Sequence, residues 1–349
     1  MRINAFDHFR GIAIIFIVAG HCFGPWAIDS FAERTLANLI TGGTAYFVFI
    51  SGFFFHHVFY QDFRYPRFIL KKARLVLLPY LIMSTLGIMY FLACLDRPPL
   101  EDALIGHTAA SMQDYARLFS LYLLIGSEIM GYWYIPFIMV FFLLSPLFIA
   151  QINLPQTFQL SLFGVSFVIA MLVHRPDGNL SPLHSAIYFY PLYTLGMMIS
   201  ANRAWVLTRL QGRAAIIGML GLAIASAQAL LVEGFGNFQK AGMFHYAGID
   251  IMIVQKTLMC LFFVSLLHQY ESRSSAILKF FASTSFALFF LHPWVLVLMD
   301  HLKVVDAIMF LPGAVIFGIA TLLTIGGALA VAHAIKALLG NNSRIVMGW

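Results

Sequence analysis

The first apolar run, FDHFRGIAIIFIVAGHCFGPW from Phe6 to Trp26, carries an arginine at its mouth, Arg10, and a histidine eleven positions on, His21. At about 100° per residue that spacing is three helical turns plus about 20°, so the two side chains share one face about 16 Å apart along the axis. A charged group inside a membrane span costs about 2.5 to 3.5 kcal/mol on the insertion scale, so such residues are expected to face a cavity or a partner and to have a use. A cation at the mouth suits an anionic ligand, and an imidazole deeper in suits proton transfer with a hydroxyl near neutral pH. An acyl-CoA has the matching shape, with phosphates at one end and a thioester at the tip of a long thin arm. The pair alone also fits a topological anchor at Arg10 and a hydrogen-bonded core histidine at His21.

Further along, Ser51 and Gly52 interrupt a run of bulky aromatics, FVFISGFFF. A small pair of this kind permits close helix packing, and it leaves room beside a slim substrate arm. Glu128, a carboxylate at the membrane edge next to Gly131 and Trp133, suits orientation of a histidine or an acceptor hydroxyl, or else simple solvation. Trp133 between two tyrosines reads as an interfacial anchor with sugar stacking as its second use. His292, before Pro293, reads as a site histidine or as the cap of a helix end. Lys256 is expected to snorkel or to pair with Asp250, although six residues apart the two fall on opposite faces of one helix. Cys22 points about 100° away from His21 and is no candidate nucleophile.

The elements that hold these residues are set by composition. Hydrophobic residues make up 61% of the 349 and charged residues 10%, with a mean hydropathy of +0.86, far from the roughly half and a quarter of ordinary soluble domains. An all-α, polytopic transmembrane bundle is expected, a single domain over residues 1–349. About ten runs reach the length of roughly twenty residues that a span needs: 8–27, 37–60, 75–95, 131–151, 157–174, 184–201, 213–232, 247–268, 281–300 and 308–339. The amphipathic stretch Tyr115 to Glu128 reads as an interfacial or re-entrant helix. With the N-terminus inside, fourteen Lys and Arg fall on the inner side and six outside, among them Arg97, Arg175 and Lys240; both termini are therefore expected to be cytoplasmic. Asp96, Glu101, Asp102 and Asp114 gather in an outer loop. The net charge of +6 is absorbed by this asymmetry, so no nucleic-acid partner is expected. The three cysteines lie in apolar sequence without metal-ligand spacing, and no metal is expected.

The stretch FDHFRGIAIIFIVAGH resembles the signature of the acyltransferase-3 family of integral membrane acyltransferases. FVFISGFFF resembles the second-span motif, FILKKARLVLLPYL the basic mouth of the third span, YWYIPFIMVFFLLSPLF the aromatic start of the fourth, and STSFALFFLHPWV a late span with its histidine. The resemblance implies transfer of an acyl group, most often acetyl, from acyl-CoA to a hydroxyl of a carbohydrate or glycolipid acceptor at the bacterial inner membrane, in a form without an appended esterase-like domain. It implies His21 as general base or transient acyl carrier and Arg10 at the CoA phosphates, with Arg74 and Lys71 assisting. Many members carry two arginines at the third-span mouth. Lys71 in place of one keeps the charge and loses the bidentate fork. Ser51, Glu128, Trp133 and His292 complete the candidate site as substrate-binding residues. About ten spans with ionisable residues inside them are equally typical of a secondary transporter for a small anionic solute, which would show inverted repeats.

Overall fold

The computed structural model describes residues 3–24, 26–94 and 101–349. Arg2, Asp96 and Arg97, which entered the charge asymmetry, and the side chain of Cys94 lie outside the described residues. Helix accounts for 76% of the chain, as expected where lipid offers the backbone no hydrogen-bond partners. α1 (Asn4–Gly20) opens the bundle. The second apolar run divides into α2 (Phe31–Ile40) and α3 (Thr44–Phe54), which continues as a π turn through Phe59; α4 (Tyr65–Lys72) passes through another π turn into α5 (Leu78–Cys94). α6 (Glu101–Ile105) and α7 (Met112–Ile125) lead to α8 (Tyr134–Leu143) and α9 (Ser145–Ile152), which are bent by 57°. α10 (Gln156–Val173), α11 (Pro182–Ala201), α12 (Arg203–Leu210), α13 (Ala214–Leu231), α14 (Met252–His268), α15 (Ala276–His301), α16 (Gly313–Leu339) and α17 (Ser343–Met347) complete it. Helices occupy most of each of the ten expected runs, the run 37–60 being broken between Ile40 and Thr44. Among the described residues six helices are long and apolar enough to cross a membrane, or seven if the bent pair is one span.

The pairing of α1 with α15 positions the chemistry. The α1 start is fixed by Glu271, whose carboxylate oxygens accept the backbone N–H groups of Asn4 and Ala5, both at 2.8 Å; a carboxylate there also meets the positive end of the helix dipole. At Gly11 any side chain would collide with the backbone carbonyl of Leu278, so the two helices touch backbone to backbone. They run parallel: Arg10 meets Ala282 and His21 meets His292. Phe280 at the start of α15 stacks on His333 at the end of α16, and Lys336 lies 3.7 Å from the Trp349 ring. The two ends of the chain are therefore at the same end of the bundle.

The break within the second run builds the opposite end. α2 starts with a reciprocal cap between Ser30 and Glu33 and stops at Ile40. Lys256 of α14, expected to snorkel or pair with Asp250, instead donates to the Asn38 and Leu39 carbonyls at 3.0 and 2.9 Å. It thereby satisfies carbonyls that the last turn of α2 leaves open. Gly42 and Gly43 then turn the chain into α3. Gly52 and Gly196 press α3 and α11 together without room for a Cβ at either, so the small pair at Ser51 and Gly52 serves close packing. α7 occupies the expected amphipathic stretch, with Leu118 and Tyr122 buried in a cluster with Ile88 of α5.

Candidate active site

At the end of α1 a polar cavity of about 230 Å³ opens among four connections: Thr41–Thr44, Gly126–Trp133, Arg175–Asn179 and Asn237–Gln239. His21 lines it. His21 also lines a second, narrow cavity of about 20 Å³, walled by Ile17, Phe47, Tyr134, Ile135, Phe286 and Phe289. The imidazole thus stands at the junction of a polar chamber and an apolar slot. Ile17, Phe286 and Phe289 lie one or two turns back from His21 and His292, so the slot follows the α1–α15 seam toward Arg10.

His21 Nδ1 lies 2.9 Å from His292 Nε2, the rings within 1° of parallel. His292 is fully buried in the middle of α15, so it does not cap a helix end. Its Nδ1 is 2.8 Å from the Leu288 carbonyl. A carbonyl can only accept, so His292 Nδ1 carries the proton and its Nε2 accepts. His21 must then donate from Nδ1, which fixes its tautomer and leaves the lone pair on Nε2. Gly131, at φ +89, covers the pair: a Cβ there would sit 3.4 Å from His21 Cε1 and 3.9 Å from His292 Cε1. Cys22 turns its thiol to Val18 O and the Thr324 hydroxyl.

Trp133 lies inside the cavity wall and is only 8% exposed, a plate and not an interfacial anchor. Its ring faces the Arg175 guanidinium at 4.9 Å, with Phe189 at 5.6 Å. Arg175 donates from Nη2 to Asn179 Oδ1 at 2.8 Å. A two-residue parallel clasp between β1 (Arg175–Pro176) and β2 (Gln239–Lys240) holds it in place. Lys240, itself buried, donates to the Leu172 carbonyl at 2.7 Å and to that of His245.

The remaining expected site residues lie elsewhere. Arg10 is half-buried and donates to Ala282 O at 2.6 Å; it lines neither cavity that touches His21. Ser51 meets the Tyr134 hydroxyl at 3.4 Å and lines neither cavity as well. Glu128 is 3% exposed and neither oxygen has a hydrogen-bond partner among the described residues. Its side chain turns from the cavity toward Gly87 of α5, with the Ser84 hydroxyl nearby but outside hydrogen-bond geometry. Burial pushes its carboxyl up to about 7. Lys71 is exposed and lines a separate basic cavity of about 170 Å³ with Asp62, Arg64 and Arg67. Arg74 is exposed on the π turn after α4.

A half-buried histidine in a fixed tautomer, between a polar chamber and a narrow apolar slot, is an arrangement suited to acyl transfer. The model of the acyltransferase-3 family, described as an acyltransferase domain, matches residues 3–333. The chain belongs to this family. No curated protein and no solved structure matches it significantly. Family membership and the apolar helices together make the protein a membrane acyltransferase, and the acyltransferase-3 match spans every element that contributes to the His21 cavity.

Sequence reasoning missed Arg175, Asn179, Asn237 and Gln239. In the sequence Arg175 reads only as an outer-loop charge. The polar turns beside it, Asp177-Gly178-Asn179 and Gly236-Asn237, were the available signal.

Proposed function

We propose that the protein transfers an acyl group, most often acetyl, from acyl-CoA to a hydroxyl of a carbohydrate or glycolipid acceptor. The observation that carries this reading is the position of the His21–His292 pair where the polar chamber and the apolar slot meet. The acceptor occupies the chamber. The thin donor arm reaches the histidine along the α1–α15 seam, which must widen beyond the present slot, and the CoA phosphates rest at Arg10 with Lys71 and Arg74 adding charge around the mouth. The Arg10 end is the cytoplasmic one on the Lys and Arg asymmetry, and the membrane is the bacterial inner membrane.

In direct transfer, His21 Nε2 removes the acceptor hydroxyl proton as the oxygen bonds to the thioester carbonyl carbon. The C–S bond then breaks, and the leaving thiolate takes the proton from the imidazolium. In the carrier form, Nε2 itself attacks the thioester carbonyl carbon, the C–S bond breaks, and the leaving thiolate takes the imidazole proton; the acceptor hydroxyl later attacks the acyl carbon and returns its proton to the imidazole as the acyl–nitrogen bond breaks. His292 supports either form by keeping the lone pair on Nε2. Single-turnover labelling separates them, since only the carrier gives an acyl-imidazole on His21 without acceptor.

The decisive experiment supplies purified protein with labelled acetyl-CoA and crude glycolipid. Incorporation in the native protein that drops about a hundredfold or more in His21→Ala and is also lost in Arg10→Ala, with folding unchanged, is the expected result. Equal incorporation in both variants removes the mechanism.

A further inference from the structure

We propose that the acceptor group held in the His21 chamber is an anionic sugar, whose carboxylate or phosphate pairs with Arg175; this rests on the acyl-transfer reading of His21. Arg175 is 4% exposed. Of its five N–H donors, Nη2 serves Asn179 while Nε has no hydrogen-bond partner. Among the described residues no carboxylate lies within 4 Å of it. The carboxylate that acts on it from further off, Asp250, is already committed: Oδ1 accepts from the Met252 and Ile253 N–H groups and Oδ2 from the Tyr188 hydroxyl. Trp133 and Phe189 offer the guanidinium their faces, which offsets part of its desolvation. A guanidinium removed from water without a paired anion remains strongly disfavoured, and the partner that best completes it is one that enters the chamber.

The rest of the chamber narrows the class. Among its described lining residues Arg175 alone carries a permanent charge; Ser127, Asn179, Asn237 and Gln239 are neutral groups able to meet hydroxyls, and Trp133 offers a flat apolar face. About 230 Å³ is below the range of sites for drug-sized ligands and suits one sugar-sized group. The CoA phosphates do not account for the cation, because Arg10 stands about three helical turns away along α1. Guanidinium and carboxylate or phosphate match as a planar fork, so Arg175 orients the sugar as well as attracting it.

The test measures binding without acyl donor. Full-length protein in nanodiscs is titrated calorimetrically with glucose and galactose, their uronic acids and their 1-phosphates. The expected result is a preference of about tenfold or more for the uronates or the phosphates over the neutral sugars, the gain of a charge-assisted hydrogen bond. The preference weakens with salt and disappears in Arg175→Gln. Which anionic set responds distinguishes carboxylate from phosphate. Equal or absent binding of all the sugars to the native protein overturns the proposal, whether or not Arg175→Gln folds. So does a preference that survives in that variant, or turnover lost there with binding unchanged, which would assign the guanidinium to the reaction itself. Anionic-sugar binding retained in His21→Asn, with no acyl transfer by the native protein, leaves the anion site standing and removes the transferase mechanism.

Discussion

The two ends of the α1–α15 seam are built on opposite principles. Around His21 the partner groups are enclosed: His292 is fully buried, Trp133 and Arg175 nearly so, and one hydrogen bond dictates the next. At the end of the bundle where α1 begins and Phe6 packs on Phe53 and Phe54 of α3, the other charges are wet. Arg64 and Arg67 share Asp62 at 3.5 and 3.8 Å with their side chains more than two-thirds exposed, and Lys71 and Arg74 are exposed beside them. Burial makes an interaction strong and position-dependent, whereas solvent makes it weak and replaceable. The closed end is therefore where single substitutions should matter most. The open end should act as a field of charge in which Arg10, half-buried and tied to Ala282, is the exception.

The largest effect that sharpens this contrast is expected at His292. His292→Ala removes the acceptor that holds the His21 proton on Nδ1, so the imidazole can rotate and change tautomer. Turnover should fall by about 10- to 100-fold, with little change in the KM for acyl donor, because a supporting group orients the reacting one without binding substrate. His292→Gln keeps an acceptor in reach and should restore part of the rate. A large rise in donor KM in His292→Ala instead would place His292 in substrate binding and blur the division between the ends.

Glu128 offers a test of the closed end through stability. Its carboxyl is displaced upward by burial, from about 4.5 in the unfolded chain to about 7. Between those values the folded protein keeps a proton that the unfolded chain has released, so stability falls as pH rises through this window and levels off above it. The penalty at full ionisation is on the order of 3 kcal/mol. Glu128→Gln should match the native protein at pH 5 and exceed it by several degrees in unfolding midpoint at pH 8, as read by thermal unfolding in detergent. A native-like pH slope in the variant means that the carboxylate is paired or hydrated.

How much of this was legible in the sequence depends on how far apart the cooperating residues are. Arg10 and His21 share one helix, and helical geometry alone put them on one face. His292 was reachable only through the family resemblance of its span, because no spacing rule links it to His21 across most of the chain. The expected runs are helical over most of their length, since apolar length is a local property. The interruption after Ile40 was hidden: hydropathy reads Ala37 through Tyr60 as one run and does not register that Lys256, on a distant helix, will satisfy the end of α2. Arg175 was hidden most completely. Its place in the chamber comes from the clasp with Gln239 and the stack on Trp133, contacts between three separate loops, while in sequence it is one more outer charge.

The smallest expected effect is at the open end and sets the scale for the rest. Lys71→Ala and Arg74→Ala each remove one exposed charge, and a solvated pair contributes about 0 to 1 kcal/mol. Donor KM should rise no more than about fivefold in either, and the rise should shrink as salt increases, since the Debye length falls from about 10 Å at 0.1 M to about 3 Å at 1 M. Arg10→Lys retains the charge but not the fork and should raise donor KM more than either, with much weaker dependence on salt. If Lys71→Ala or Arg74→Ala equals Arg10→Lys in size and is equally insensitive to salt, that side chain is desolvated against the donor, and the mouth is as exacting a site as the His21 chamber.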